Sequence, residues 1–149
     1  MSTPKRTRRR LSDRLAMPDR SAVVVDASAV AAVVFNEPAA DEVVEQIGGD
    51  RLVAPSLLTY ELANVYVVKV RRYPDQEQAL DRAFSMLGSF DIELVAVPAT
   101  AAGSYAIESG LTAYDAAYLW LARRLGLRLV TLDRKLGAVA SNLGDSKPE

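Results

Sequence analysis

Ala22-Val23-Val24-Val25-Asp26 is a short run of apolar, mostly β-branched residues that ends in a carboxylate. A continuous run of this kind is typical of a strand that is buried on both faces, as in a parallel sheet. Leu129-Val130-Thr131-Leu132-Asp133 has a similar form near the other end of the chain. Between the two segments, short apolar runs alternate with stretches of helical periodicity. The sequence therefore predicts an α/β fold, a three-layer α/β/α sandwich around a central, mostly parallel sheet.

The boundaries of the predicted elements follow from the apolar runs and from the positions of proline and glycine. Proline fits the first turn of a helix and glycine fits its end, so these residues bracket several helices. We predict strands at Ala22–Val25, Leu52–Ala54, Ile92–Val97 and Leu127–Leu132. We predict helices over Ser28–Phe35, from Pro38 to Gly48, from Pro55 to Arg72, from Pro74 onward, and over Ala99–Ser109, Thr112–Leu125 and Arg134–Leu143.

The composition excludes several classes of enzyme. The chain has 149 residues, half of them hydrophobic, which is enough for one globular domain; we place that domain at residues 21–149. It contains no histidine and no cysteine. Ser–His–Asp and Cys–His catalysis, disulfides, and zinc sites built on Cys or His are therefore excluded.

Positive charge is concentrated at the beginning of the chain. Residues 1–20 contain seven Lys or Arg and two Asp, whereas acidic residues are in excess over the remainder. We expect residues 1–20 to be a basic, disordered extension that can contact a polyanion such as RNA. No apolar run reaches the roughly 18 residues that a membrane span needs, so we expect a cytoplasmic protein without membrane contact.

Four carboxylates lie in apolar sequence: Asp26, Glu61, Asp115 and Asp133. An ionised carboxylate in apolar surroundings is costly unless its charge is compensated. In a parallel sheet the ligand site lies beyond the carboxyl ends of the strands, where Asp26 and Asp133 stand. Glu61 and Asp115 lie on the apolar stripes of predicted helices. We therefore predict that the four converge on one catalytic metal site for Mg²⁺ or Mn²⁺, since these ions favour oxygen ligands.

Three of the four carboxylates also have ordinary structural explanations. Asp26 and Asp133 could each cap the helix that follows. Thr112 and Asp115 resemble a capping box. Glu61 differs, because a carboxylate inside a helix caps nothing and no Lys or Arg stands four residues away from it.

Polar, aromatic and basic neighbours of the carboxylates have two interpretations each. The hydroxyls of Ser28 and Thr131 could orient a carboxylate or hold a metal-bound water, and Ser28 could equally cap a helix. Three aromatic residues of one predicted helix either stack on bases or pack in the core or at a subunit interface: Tyr114, Tyr118 and Trp120. The basic residues that could contact phosphates, or simply face solvent, are Arg71, Arg72, Arg123, Arg124, Arg134 and Lys135.

The order and context of these residues resemble the PIN-domain family and, within it, the VapC-type toxin ribonucleases. The resemblance extends over about residues 22–140. The segments that carry it are Val24-Val25-Asp26-Ala27-Ser28, Pro55-Ser56-Leu57-Leu58-Thr59-Tyr60-Glu61-Leu62-Ala63-Asn64, Leu111-Thr112-Ala113-Tyr114-Asp115-Ala116-Ala117-Tyr118-Leu119, and Leu129-Val130-Thr131-Leu132-Asp133.

The resemblance implies an activity and a set of partners. The activity is that of an Mg²⁺- or Mn²⁺-dependent endoribonuclease, the toxin of a VapBC-type toxin–antitoxin pair. Its acidic quartet would be Asp26, Glu61, Asp115 and Asp133, and Thr131 matches the frequent hydroxyl residue before the last Asp. The implied partners are an RNA substrate, a VapB-like antitoxin, a second copy in a homodimer, and operator DNA only through the antitoxin complex.

Two other functions are alternatives to a ribonuclease. One is a noncatalytic PIN-fold interaction module that binds an antitoxin and contributes to operator-DNA autoregulation. The other is a phosphatase of the haloacid type, which needs a second Asp two residues after Asp26. The chain has Ser28 there, so the phosphatase is set aside.

For the ribonuclease, attack by water on the phosphodiester would leave a 5′-phosphate.

Overall fold

A parallel sheet forms the centre of the molecule. The computed structural model describes residues 21–142, so the expected basic extension at residues 1–20 and the positions 143–149 lie outside the described residues. Within the described part, the sheet has four strands, β1 (Ala22–Val25), β2 (Arg51–Pro55), β3 (Ile92–Val95) and β4 (Leu129–Val130). All neighbours are parallel, and the order across the sheet is β3-β2-β1-β4.

Helices cover this sheet, as the alternating sequence pattern predicts. Between residues 21 and 142 they are α1 (Ala27–Val34), α2 (Ala40–Ile47), α3 (Leu58–Arg72), α4 (Glu77–Ser85), α5 (Ala99–Ser109), α6 (Ala113–Leu125) and α7 (Arg134–Asn142). Short 3₁₀ helices at Pro74–Gln76 and Met86–Ser89 flank α4. The predicted α/β fold with a central parallel sheet is confirmed. Among these helices, none combines the length and the apolar character that crossing a bilayer requires.

β1 is apolar throughout because it is enclosed on all sides. It pairs with β2 on one side and with β4 on the other. Val23, Val24 and Val25 have no exposed surface. A strand in this position reads as a continuous apolar run instead of an alternating one, which is what the first segment of the sequence shows.

β4 is shorter than the sequence predicts. The predicted strand covered positions 127–132, but only Leu129 and Val130 pair with β1. β1 ends at Val25, just before α1 begins at Ala27, so β4 has no strand partner beyond Val130. The apolar pattern of residues 127–132 alone could not reveal where the neighbouring strand ends.

Two other boundaries differ from the predicted ones. Pro55 remains in β2, where it pairs with Val95, so α3 begins at Leu58 and not at the proline. β3 ends at that same Val95 instead of continuing to Val97. The first shift places the start of α3 just beyond the carboxyl end of β2.

Two leucines of α6 provide a matched test of this packing. Leu121 is 1% exposed in the core, whereas Leu125 is 47% exposed at the end of the same helix. We expect Leu121→Ala to lower the free energy of unfolding by about 2–5 kcal/mol, since it removes buried methyl groups and leaves a cavity. Leu125→Ala should change it by less than about 1 kcal/mol. Urea unfolding followed by circular dichroism measures both, and equal losses would contradict the placement of α6.

Candidate active site at the carboxyl edge of the sheet

The four predicted site carboxylates stand where strands end and helices begin. Asp26 directly follows β1, and Asp133 comes three residues after the end of β4. Glu61 and Asp115 lie in the first turns of α3 and α6. Because parallel strands end at one edge and α3 starts where β2 ends, the fold directs these residues to the same edge of the sheet.

Asp26 is the most enclosed of the four carboxylates. Of the charged residues between positions 21 and 142, Asp26 is the buried one, with 4% of its surface exposed. Its Oδ1 accepts from the Ala29 amide at 3.0 Å and from the Ser28 hydroxyl at 2.7 Å. Its Oδ2 accepts from the Thr131 hydroxyl at 2.5 Å. Three donors therefore fix the orientation of this carboxylate.

Ser28 and Thr131 also connect Asp26 to the chain that follows β4. The Ser28 hydroxyl accepts from the Leu132 amide at 2.9 Å, and the Thr131 hydroxyl accepts from the Asp133 amide at 3.0 Å. Both hydroxyls therefore orient the Asp26 carboxylate, which is one of the roles that the sequence allows for them. The capping alternative for Ser28 is wrong, because Asp26 occupies the N-cap of α1.

The capping interpretations of Asp26 and Asp133 are both confirmed. Asp26 caps α1 through its bond with the Ala29 amide. Asp133 Oδ1 accepts from the Leu136 amide at 2.9 Å in the first turn of α7. Capping and membership of a site are compatible, since a cap uses one oxygen of a carboxylate and holds the second in place.

Asp115 is positioned by the start of its own helix. The Thr112 hydroxyl accepts from the Asp115 amide at 3.1 Å, which makes Thr112 the N-cap of α6. Gly110 ends the preceding helix with a φ of 71°, a left-handed conformation that suits glycine. The sharp turn between α5 and α6 therefore positions the backbone from which the half-buried Asp115 side chain extends.

Glu61 has a partner that the sequence did not reveal. Tyr118 Oη donates to Glu61 Oε1 at 2.7 Å, and Tyr118 is 1% exposed. The sequence predicts either a packing role or a stacking role for Tyr118. Its position three residues after Asp115, on the same helix face, was a visible sign that its hydroxyl could reach the site. Nothing local in the sequence indicates Glu61 as its acceptor.

The other two aromatic residues of α6 differ from each other. Trp120 is half-buried and packs against the hydrophobic core, so the packing interpretation is confirmed for it and for the ring of Tyr118. Tyr114 is 65% exposed at the start of the helix. Only Tyr114 of this group remains accessible to a partner.

Burial and mutual repulsion raise the pKa of three carboxylates. Burial is the main cause of the raised pKa of Asp26, and the charge of Asp133 adds to it. The pKa of Glu61 is raised by burial first and then by the charges of Asp115 and Asp26. The pKa of Asp115 is raised by burial first and then by Asp133. Each of the four acts on another, so they form one electrostatic unit, here called the carboxylate cluster.

Little positive charge within residues 21–142 offsets this cluster. Lys135 opposes the rise in the pKa of Asp115, and its ammonium group donates to the Gly110 carbonyl at 2.8 Å. Arg134 is exposed beside Asp133. The ion pairs formed in this part of the chain join other residues: Arg51 with Glu93, Lys69 with Glu37, and Arg128 with Asp50.

The remaining basic candidates lie farther away. Arg71 and Arg72 are in the last turn of α3. Arg71 is ten residues beyond Glu61, a separation of about 15 Å along the helix axis. Arg123 and Arg124 are in the last turn of α6. These four residues could contact an RNA only at a distance from the carboxylates.

The donor chemistry of the cluster fits a divalent cation. All four side chains offer hard oxygen ligands, and their repulsion is what a bound Mg²⁺ or Mn²⁺ would relieve. As the side chains stand, no three acidic residues between positions 21 and 142 enclose an ion. Asp26 is already held by three hydrogen bonds and Asp133 by its bond with the Leu136 amide, whereas the half-buried Asp115 side chain can turn toward an ion.

Comparisons with known proteins agree with this architecture. The sequence model of the PIN domain family matches residues 23–142. The chain is 31% identical over 119 residues to Ribonuclease VapC3 of Pyrobaculum aerophilum, which covers 76% of this chain and 91% of that protein. It is also similar to the crystal structure of PAE2754 from Pyrobaculum aerophilum, with a TM-score of 0.64 and 32% identity over 80% of this chain and 84% of that one.

The raised pKa of Asp26 predicts how stability depends on pH. A carboxylate whose pKa in the folded chain exceeds its ordinary value of 3.8 binds more protons when folded than when unfolded. The free energy of unfolding of the metal-free protein should therefore fall as pH rises from about 4 through the raised pKa. Asp26→Asn cannot ionise, so its stability should depend less on pH and should exceed that of the wild type at neutral pH.

Urea unfolding in EDTA at several pH values measures this difference. Asp91→Asn is the matched control, because Asp91 is exposed on the surface. The control should follow the wild-type curve. A wild-type slope retained by Asp26→Asn would show that burial does not hinder the ionisation of Asp26.

Proposed function

Because this chain belongs to the PIN domain family, we propose that it is a divalent-metal-dependent endoribonuclease and the toxin of a VapBC-type toxin–antitoxin pair. The observation that carries the proposal is the carboxylate cluster at the carboxyl edge of the sheet. The chain has no histidine and no cysteine, so the cluster is its main catalytic equipment. Ribonuclease VapC3 is a relative whose name states that it is a ribonuclease.

The proposed ion would be held by the carboxylate cluster. Asp26 and Asp115 are the proposed nearest ligands, with Glu61 and Asp133 completing the set. When bound, the ion lowers the pKa of a water molecule and stabilises charge on the phosphate oxygens. The hydrogen bonds to Asp26 keep that ligand oriented in the absence of the ion, which lowers the entropic cost of assembling the site.

The reaction is hydrolysis of a phosphodiester by water. The water oxygen forms a bond to phosphorus, and the bond from phosphorus to the 3′-oxygen breaks. The products are a 5′-phosphate and a 3′-hydroxyl. The proton of the water passes to a carboxylate of the cluster or to solvent, since no histidine is present to receive it, and the departing 3′-oxygen takes up a proton from the same sources.

The substrate phosphates need positive charge beside an acidic cleft. Arg134 and Lys135 are exposed directly after Asp133, and we assign them to this contact. The basic residues 1–20 would add nonspecific affinity for RNA that falls steeply with salt. In this proposal residues 21–149 form the nuclease domain and residues 1–20 form an extension of it.

The proposed partners follow from the toxin assignment. They are a VapB-like antitoxin that neutralises the nuclease, a second copy in a homodimer, and operator DNA contacted only through the antitoxin complex. The alternative, a noncatalytic interaction module, would share these partners but would have no use for a carboxylate cluster. The two functions are therefore separated by RNA cleavage and not by antitoxin binding.

We expect Asp26→Asn and Asp115→Asn to reduce RNA cleavage at least about 100-fold, because each removes a charged ligand of the proposed ion. Cleavage by the wild type should stop in EDTA and return with Mg²⁺. The assay is cleavage of a panel of structured RNAs, with the 5′ ends of the fragments identified by sequencing. Asp91→Asn, remote from the cluster in sequence and exposed, is the control and should cleave at the wild-type rate.

Three results would contradict the proposal. A wild-type protein that cleaves none of the RNAs in Mg²⁺ or Mn²⁺ would favour the interaction module. Cleavage that persists in EDTA would exclude a metal-dependent mechanism. Wild-type cleavage by Asp26→Asn would remove the carboxylate cluster from the reaction.

A further inference from the structure

One contact at the edge of the cluster is made by a group that the proposed reaction does not use. Tyr118 lies on α6, one helical turn after Asp115, and is 1% exposed. Its hydroxyl donates to Glu61 Oε1 on α3 at 2.7 Å. A buried tyrosine hydroxyl needs a partner, and here the partner is a carboxylate of the cluster.

We propose that Tyr118 is a positioning residue for the metal site, which holds Glu61 through Oε1 and leaves Oε2 as the oxygen that faces the ion. The inference rests on the proposed function, because it concerns how the same cluster binds a cation. A glutamate has three rotatable side-chain bonds, so an unrestrained Glu61 would lose conformational freedom on binding. The hydrogen bond removes part of that cost before the ion arrives.

The hydrogen bond also sets the spacing between two ligands on different helices. Asp115 and Tyr118 are three residues apart and share a face of α6. Glu61 belongs to α3. A contact from Tyr118 to Glu61 therefore ties the carboxylate of Glu61 to the helix face that carries Asp115.

The hydroxyl is a neutral donor near neutral pH, because the ordinary pKa of a tyrosine is about 10. A neutral donor orients the carboxylate without neutralising the charge that the cation needs.

A purely structural role makes a different prediction from a positioning role. The ring of Tyr118 fills part of the core, and its hydroxyl could serve only to satisfy a buried polar group. In that case loss of the hydroxyl would lower stability and leave cation affinity unchanged. Tyr66, whose hydroxyl donates to Asp81 on an exposed surface, offers the same type of bond away from the cluster.

The test compares Tyr118→Phe with Tyr66→Phe in the full chain, because each substitution keeps the ring and removes one tyrosine–carboxylate hydrogen bond. Mn²⁺ binding is measured by electron paramagnetic resonance of the free ion. We expect the dissociation constant for Mn²⁺ to rise about tenfold in Tyr118→Phe, the lower part of the range for residues that orient metal ligands. Its kcat for RNA cleavage should fall with KM unchanged, and Tyr66→Phe should match the wild type in both.

A double-mutant cycle with Glu61→Gln assigns the effect to the right partner. If Tyr118 acts through Glu61, Tyr118→Phe should cost much less Mn²⁺ affinity in the Glu61→Gln background than in the wild type. The same tenfold loss in both backgrounds would overturn the inference. So would wild-type Mn²⁺ affinity in Tyr118→Phe.

A measurement on the wild type covers the case in which Tyr118→Phe does not fold. With ¹³C-labelled tyrosine, the Cζ resonance of Tyr118 should shift during an Mg²⁺ titration, whereas that of Tyr66 should not. An unchanged Cζ resonance of Tyr118 at saturating Mg²⁺ would overturn the inference. Mn²⁺ binding that depends on Tyr118 in a protein that cleaves no RNA would support the inference and contradict the proposed function.

Discussion

The burial of a charged carboxylate at the end of β1 is the constraint on which the rest of the structure depends. β1 is enclosed on both edges and both faces, so Asp26 emerges from the most apolar part of the molecule. An unpaired charge there would cost several kcal/mol. Hydrogen bonds from the Ala29 amide, the Ser28 hydroxyl and the Thr131 hydroxyl offset part of this cost. The pKa of Asp26 nevertheless remains above its ordinary value, so these hydrogen bonds do not fully compensate its negative charge.

The geometry of the cluster follows from that constraint. Thr131 directly follows β4 and its hydroxyl reaches Asp26, while Asp133 lies two residues further along at the same edge. α3 and α6 then contribute their first turns, where Glu61 and Asp115 stand. The negative charges of this cluster raise the pKa of Asp26, Glu61 and Asp115, so the arrangement is unfavourable in the metal-free protein. A divalent cation would turn this electrostatic cost into binding free energy.

Sequence patterns predict the fold better than they predict contacts between distant residues. The sequence predicts β1, β2 and the helix Ala99–Ser109, because burial and capping leave local signals in it. The early end of β4 depends on where the neighbouring strand β1 ends, which the apolar pattern of residues 127–132 does not encode. The positions of the four carboxylates at one edge followed from the parallel topology, although their role as metal ligands stays a prediction.

The bond between Tyr118 and Glu61 could not be predicted, because it joins two helices that are distant in sequence. The capping interpretations of Asp26 and Asp133 are correct, but they do not exclude a shared site. Each carboxylate oxygen can accept more than one bond, so the bonds that cap α1 and α7 leave acceptor positions on both side chains. Local explanations for single residues therefore did not conflict with a shared function.

Anomalous X-ray diffraction from crystals of the full chain soaked in MnCl₂ would test the central claim most directly. The account predicts a manganese peak at the carboxyl edge of the sheet, bonded to the carboxylates of Asp26 and Asp115. A manganese ion bound by other residues, or a cluster without a peak at saturating Mn²⁺, would contradict it.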